Sequence, residues 1–193
     1  MIEARRILKL VVLAILFLGL AYPFAILLEG RLIGAKAEGN IVRRDGQAVG
    51  AEHIGQSFSS DAFFHGRPSA AGNGYDAMRS GGSNLGPISP VLQGEIQARV
   101  EALLADNPGL DASDIPVELV TASASGLDPE ISEQAALIQV PRVSLATGIP
   151  ATYLVDLVEK LLRGRWLGIF GEPGVNVLHL NLSVLDKMKE VNK

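Results

Sequence analysis

The strongest pattern along the chain is one uninterrupted apolar run. Residues 10–28 read LVVLAILFLGLAYPFAILL, without a charge. At about 1.5 Å rise per residue such a helix spans about 28 Å, close to the ~30 Å hydrocarbon core of a bilayer. Arg5, Arg6 and Lys9 precede the run against a single Glu3, while Glu29 and Arg31 follow it. The positive-inside rule then puts the N-terminus in the cytoplasm and the rest of the chain outside. A cleaved signal peptide would have an apolar region of only about 7–15 residues, ending in a small-x-small site. This run is longer, and bulky Ile26, Leu27 and Leu28 stand where cleavage would fall, so an uncleaved anchor is the better reading. Pro23 removes one helical hydrogen bond and is expected to kink the outer third. Ala14 and Gly19 are expected to be packing positions, because small residues let helices approach closely in lipid.

The expected organisation is a cytoplasmic tail (1–9), a transmembrane helix (10–28), a connector (29–40) and one extracytoplasmic α+β domain (41–193). Ile41-Val42-Arg43-Arg44, Asp45-Gly46 and Gln47-Ala48-Val49 read as a hairpin, since Asp-Gly supplies the positive φ angles of a type I′ turn. Ser89-Pro90 is a cap followed by proline at the first helical position. The stripe Leu92, Ile96, Val100, Leu103, Leu104 then runs to a stop at Asn107-Pro108-Gly109. Residues 117–121 read as a short strand, Asp128-Pro129 as a helix start, and Pro141 as a break or restart. Pro150 opens another helix, with Leu154, Leu157, Val158 and Leu161 on one stripe. Residues 175–182 alternate polar and apolar, which predicts a half-buried strand.

Composition narrows the chemistry. The chain has 193 residues, 17 basic and 21 acidic, and no cysteine, which removes thiol nucleophiles, disulfides and thiolate metal sites together. After Gly30 there are 14 basic against 19 acidic residues, a net of −5. That balance, with 5% aromatic residues, argues against nucleic acid as a partner. No GxxxxGK[ST], GxSxG, SxxK or HExxH motif is present. His53, His65 and His179 lack ligand spacing, so no metal site is expected. No catalytic residue is assigned.

The least ordinary stretch is residues 66–90, rich in Gly, Ser and Asn and without an apolar period. Phe63, Phe64 and Arg67 sit at its entrance, and Ser80, Gly81, Gly82 and Asn84 form its glycine–asparagine cluster. One reading is an ordered loop tied down by its aromatic pair. The other is a docking surface whose glycines admit a partner's backbone. Composition leaves both open. Arg67 either meets a partner or ties the loop internally, to Asp61 or Asp76.

The blocks IGQSF (54–58), FHGRPSA (64–70), SGGSNLGP (80–87), VELVTASASGLDPEIS (117–132), QVPRV (139–143) and GEPGVNVLHLNL (171–182) resemble the KdpC family, the C subunits of the Kdp potassium-transporting P-type ATPase. The likeness covers nearly the whole chain; Glu130 departs from it, standing where relatives often carry His. It implies a non-catalytic subunit of a bacterial inner-membrane pump. The implied partners are a channel-like potassium-selecting subunit and a P-type subunit that hydrolyses ATP. The implied role is assembly and, as a catalytic chaperone, higher nucleotide affinity of the ATPase subunit. It also brings in ATP as a ligand, and by family implication alone a nucleotide role for Gln139. The residues themselves offer little for ATP: SGGSN is only distantly similar to the LSGGQ signature, no Lys follows it, and the domain is acidic. The expectation is an indirect effect by linkage. Two other classes begin in a similar way, an anchored envelope enzyme and a pilin-like structural subunit. The first lacks a nucleophile–base pair, and the second needs a glutamate inside the apolar run, whereas Glu3 lies ahead of it.

Overall fold

The computed structural model describes residues 2–191. The chain divides into two compact units, Met1–Ala48 and Val49–Lys193. In the first, α1 (Ile2–Leu16) runs into a π-helical turn at Phe17–Ala21 and continues as α2 (Tyr22–Ile33). The Tyr22 N–H closes the wide turn on the Phe17 carbonyl. Pro23, which has no N–H, follows one residue later, so the turn that accommodates the proline is the one just before it. Glu3–Ile33 is one helix long and apolar enough to cross a membrane, and none of it is buried by the chain itself. β1 (Ile41–Arg44) and β2 (Gln47–Ala51) form the expected hairpin. Asp45 at φ +50° and Gly46 at φ +80° make its I′ turn.

The second unit is mixed helix and strand. α3 (Pro90–Asp106) begins where the Ser89–Pro90 pair predicts and ends at Asn107, whose side chain donates back to the Leu103 carbonyl at 2.9 Å. Between α3 and the next helix the backbone departs twice from what the sequence predicts. Residues 117–121 are not a strand but a 3₁₀ turn, Val117–Leu119. Their β-branched side chains favour extended backbone, yet no neighbouring strand is there to pair. Thr121 instead closes on the Val117 carbonyl through both its N–H (3.0 Å) and its hydroxyl (2.8 Å). Asp128-Pro129 does not open a helix either. Asp128 accepts from the Glu130 N–H at 3.1 Å, and Glu130–Ile131 forms β3. The helix waits for Ser132, whose hydroxyl accepts from the Ala135 N–H and caps α4 (Glu133–Leu137).

α5 (Val140–Thr147) restarts at Pro141 as expected, and Gly148 ends it at φ +72°. α6 (Ala151–Leu161) follows Pro150. Residues 175–182 are not one strand. Only Val175–Asn176 is extended, as β4, pairing antiparallel with β3 (Glu130 opposite Asn176, Ile131 opposite Val175). From Val177 the chain is helix α7 (Val177–Val191). Asn176 switches the geometry: its side-chain oxygen accepts from the His179 N–H at 3.1 Å, an N-terminal cap. Val177, Leu180, Asn181 and Val184 then share one buried face at helical spacing. The local alternation hid that longer period. The core gathers this face with Leu154 and Val158 of α6, Val140 and Val143 of α5, Ile131 and Phe64. The class is α+β.

Candidate functional site

The unusual segment proves to be ordered without being regular. It is held at three levels. The deepest is residues 61–65, whose backbone is gripped by side chains from α5, α7 and Gln139 just before α5. Phe64 is 0% exposed. Its N–H donates to Asn181 Oδ1 at 2.7 Å and its carbonyl accepts from Asn181 Nδ2 at 2.9 Å. One residue on, the His65 N–H donates to Gln139 Oε1 (2.8 Å), and Gln139 Nε2 donates to the His65 carbonyl (3.1 Å) and to the Ala135 carbonyl (2.9 Å). Arg142 completes the clamp, donating to Gln139 Oε1 and to the Asp61 and Phe63 carbonyls. Two amide side chains thus read a main chain as a neighbouring strand would, where no strand exists.

The middle level joins residues 67–75 to residues 126–128. Arg67 Nη1 meets Asp128 Oδ2 at 2.9 Å, both partly buried. This is an internal tie, as one reading expected, but to Asp128; Asp76 instead pairs with Arg79. The Tyr75 hydroxyl donates to the Arg67 carbonyl, and the Ser69 hydroxyl donates to the Gly126 carbonyl at 2.6 Å while accepting from the Tyr75 N–H. Burial, with Asp128 nearby, pushes the Tyr75 phenol above its ordinary range.

The outer level is the glycine cluster. The Gly81 N–H and the Ser80 hydroxyl both donate to the Ser125 carbonyl, at 2.8 and 2.9 Å. Gly126 sits at φ +67°, and a Cβ there would lie 2.6 Å from the Ala71 N and 2.8 Å from the Gly81 oxygen. No side chain fits. A Cβ on Gly82 would press on the Ala124 carbonyl at 3.2 Å. Beyond this seam the loop turns outward, with Asn84 exposed at φ +53° and Met78 and Ile88 bare at 93% and 88%.

The expected site residues therefore take different parts. Phe64 is not a contact surface, because it lies wholly within the core; it anchors. Phe63 is half-buried, its ring edge-on to Phe58 at 6.1 Å. Gln139 is 1% exposed, with its amide used four times inside the chain. It makes no side-chain cap to α5. Ala14 and Gly19 lie on the bare helix, and a Cβ on Gly19 would meet nothing. Missed from sequence were Asn181, Arg142, Ser69, Tyr75 and Gly126. All but Tyr75 lay inside the recognised blocks, and a glycine beside a serine pair was the available signal for a close approach. Beside Arg67 and Asp128 opens a cleft of about 660 Å³, lined also by Glu118, Glu130, Glu133 and Glu172. Among the described residues no three His, Asp or Glu side chains form a metal-sized group.

Among the described residues, one helix long and apolar enough to cross a membrane precedes a mixed helix and strand domain stitched by a non-regular loop, the pattern of a single-pass membrane protein. The chain belongs to the KdpC family: the family described as "KdpC: K+-transporting ATPase, c chain" matches residues 4–187. Among its relatives is the "Potassium-transporting ATPase KdpC subunit" of Caldanaerobacter subterraneus subsp. tengcongensis, 44% identical over 99% of this chain and 98% of the relative. Proteins of the same description from Methylobacterium nodulans and Nitratidesulfovibrio vulgaris are 50% and 52% identical, over 88% and 85% of this chain and 89% and 84% of their own.

Proposed function

We propose that this chain is a non-catalytic subunit of a potassium-transporting P-type ATPase of the bacterial inner membrane. Its N-terminus is cytoplasmic, as Arg5, Arg6 and Lys9 indicate, and its domain is periplasmic. Ala14 and Gly19 pack against membrane helices of the complex. The loop 66–89 docks on the potassium-selecting subunit. The observation that carries this reading is the loop's construction: a seam of long-range hydrogen bonds fixes its base, while Met78 and Ile88 stand unburied at its rim. A loop needed only to link β2 to α3 requires neither. The effect on the ATPase subunit is indirect, by stabilising a conformation with higher nucleotide affinity. Support for the indirect route comes from the fully engaged Gln139 amide, from the Gly81 N–H already spent on Ser125, and from a net charge that repels polyphosphate.

The test is recovery of the large subunits with the tagged full chain in mild detergent. Met78→Glu with Ile88→Glu should reduce recovery severalfold at an unchanged domain melting temperature. Arg67→Ala should lower the melting temperature first, because it breaks the tie to Asp128. Full recovery with the double variant would remove the docking role from this loop.

A further inference from the structure

The turn between α6 and β4 is built to display apolar side chains. Arg163 and Gly174 exchange two main-chain hydrogen bonds, at 2.9 and 3.1 Å, and Trp166 and Phe170 exchange two more, at 2.8 and 3.0 Å. The result is a tight hairpin, with Leu167 at φ +53° and Gly168 at φ +75° at its tip. Trp166, Leu167, Ile169 and Phe170 are 69%, 71%, 72% and 58% exposed. The Trp166–Phe170 ring contact, 5.8 Å between centroids, helps hold the hairpin and accounts for the two aromatics. It does not account for Leu167 or Ile169. Leucine is a poor choice at a left-handed position that Asn or Gly fills without strain. A turn selected only to fold would not carry it.

The surroundings indicate what covers the tip. Residues 160–170 hold Lys160, Arg163 and Arg165 and no carboxylate, in a domain (residues 49–193) with 10 basic against 17 acidic residues. Arg163 and Arg165 are half exposed, their partners Glu52, Glu130 and Glu172 lying outside the turn. Such surface pairs are weak and exchangeable. An apolar tip with an aromatic at each end and a cationic collar matches the headgroup–acyl boundary of an anionic bilayer. A bilayer is always within reach: the chain carries its own membrane-length helix, and residues 34–48, fully extended, reach at most about 50 Å. A convex turn of six residues also falls far short of the roughly 20–30 residues that a standard protein interface uses on each side.

We infer that the 165–170 turn is a membrane-interface anchor. Trp166, Leu167, Ile169 and Phe170 enter the lipid boundary, and Lys160, Arg163 and Arg165 meet anionic headgroups. The chain then holds the bilayer at two points, which restricts how the domain can turn about its tether. The proposal is independent of the docking role of the loop 66–89.

The chain contains one tryptophan, Trp166, so its fluorescence reports this turn and nothing else. The full chain is placed in nanodiscs of phosphatidylethanolamine and phosphatidylglycerol, with and without lipid bearing a doxyl quencher near the headgroup. The expected result is blue-shifted emission that loses most of its intensity with the quencher. Leu167→Asp with Ile169→Asp keeps the indole and should restore the emission of a water-exposed tryptophan at an unchanged far-ultraviolet circular dichroism spectrum. Wild-type emission that stays red and unquenched in lipid would overturn the proposal. So would protection that appears only after the large subunits are added, which would make the turn a protein contact.

Discussion

Two aromatic pairs lie at opposite ends of the domain's sequence and meet opposite fates. Phe63 and Phe64 turn inward; Trp166 and Phe170 stay in the open. Side-chain chemistry does not separate them, since all four are large and apolar. Their backbones do. The main chain at Phe64 has no neighbouring strand and is paired instead by Asn181, a side chain that reaches it only once α7 is packed. The main chain at Trp166 and Phe170 is satisfied locally, each by the other. A segment that must borrow hydrogen-bond partners from the core is drawn into it. A segment that satisfies itself is free to point its apolar residues elsewhere.

The contrast is open to experiment. Its largest consequence is for stability: Phe64→Ala should cost about 3–5 kcal/mol, as a filled core position does, whereas Phe170→Ala should cost below about 1 kcal/mol. Equal losses in chemical denaturation would erase the distinction. A smaller effect belongs to His65, beside the inner pair. Burial and, second, the charge of Arg142 hold its imidazole below the ordinary 6.5; the Ser60 carbonyl, Asp106 and Asp61 oppose them. The unfolded chain therefore takes up this proton first as pH falls. The contribution is complete above pH 6.5 and is lost as pH drops from there toward the lower folded value. The melting temperature of the wild type should fall more than that of His65→Gln between about pH 7.5 and about pH 5.5. Parallel curves would mean that His65 is not the group. The smallest effect has the opposite sign. Leu167→Asn relieves a left-handed leucine and should raise stability by about 0.5–1 kcal/mol, and a loss instead would show that Leu167 packs within its own chain.

Much of the fold could be read from local signals. The Asp45-Gly46 turn, the Ser89–Pro90 start and the restarts at Pro141 and Pro150 all rest on dihedral preferences that act within a few residues. The errors share a cause. At residues 117–121 β-branched side chains and at residues 175–182 a local alternation favoured strands, but strands need a partner and helices do not, and partners are settled at long range. At Asp128-Pro129 two capping side chains compete within five residues, and Ser132 wins because Asp128 is occupied by the Glu130 N–H and by Arg67. The loop was recognisable as unusual, and its base is tied internally, as one reading expected, while Met78 and Ile88 stay exposed. Which side chains tie it was not readable, because Asn181, Gln139 and Asp128 come from segments far away in sequence.

The distance between those segments also sets when the domain can form. Asn181 reaches Phe64 across 117 residues and Asn176 reaches the Glu52 carbonyl across 124. At about 5–20 residues per second, translation leaves Phe64 waiting on the order of ten seconds for its partner. Throughout that interval the Phe64 main chain lacks its Asn181 partner. Closure of the core is thus one of the last events in making the chain. A chain that stops short of α7, through a premature stop or a nick, cannot complete it, and it presents the 61–65 segment to proteases in place of a finished subunit.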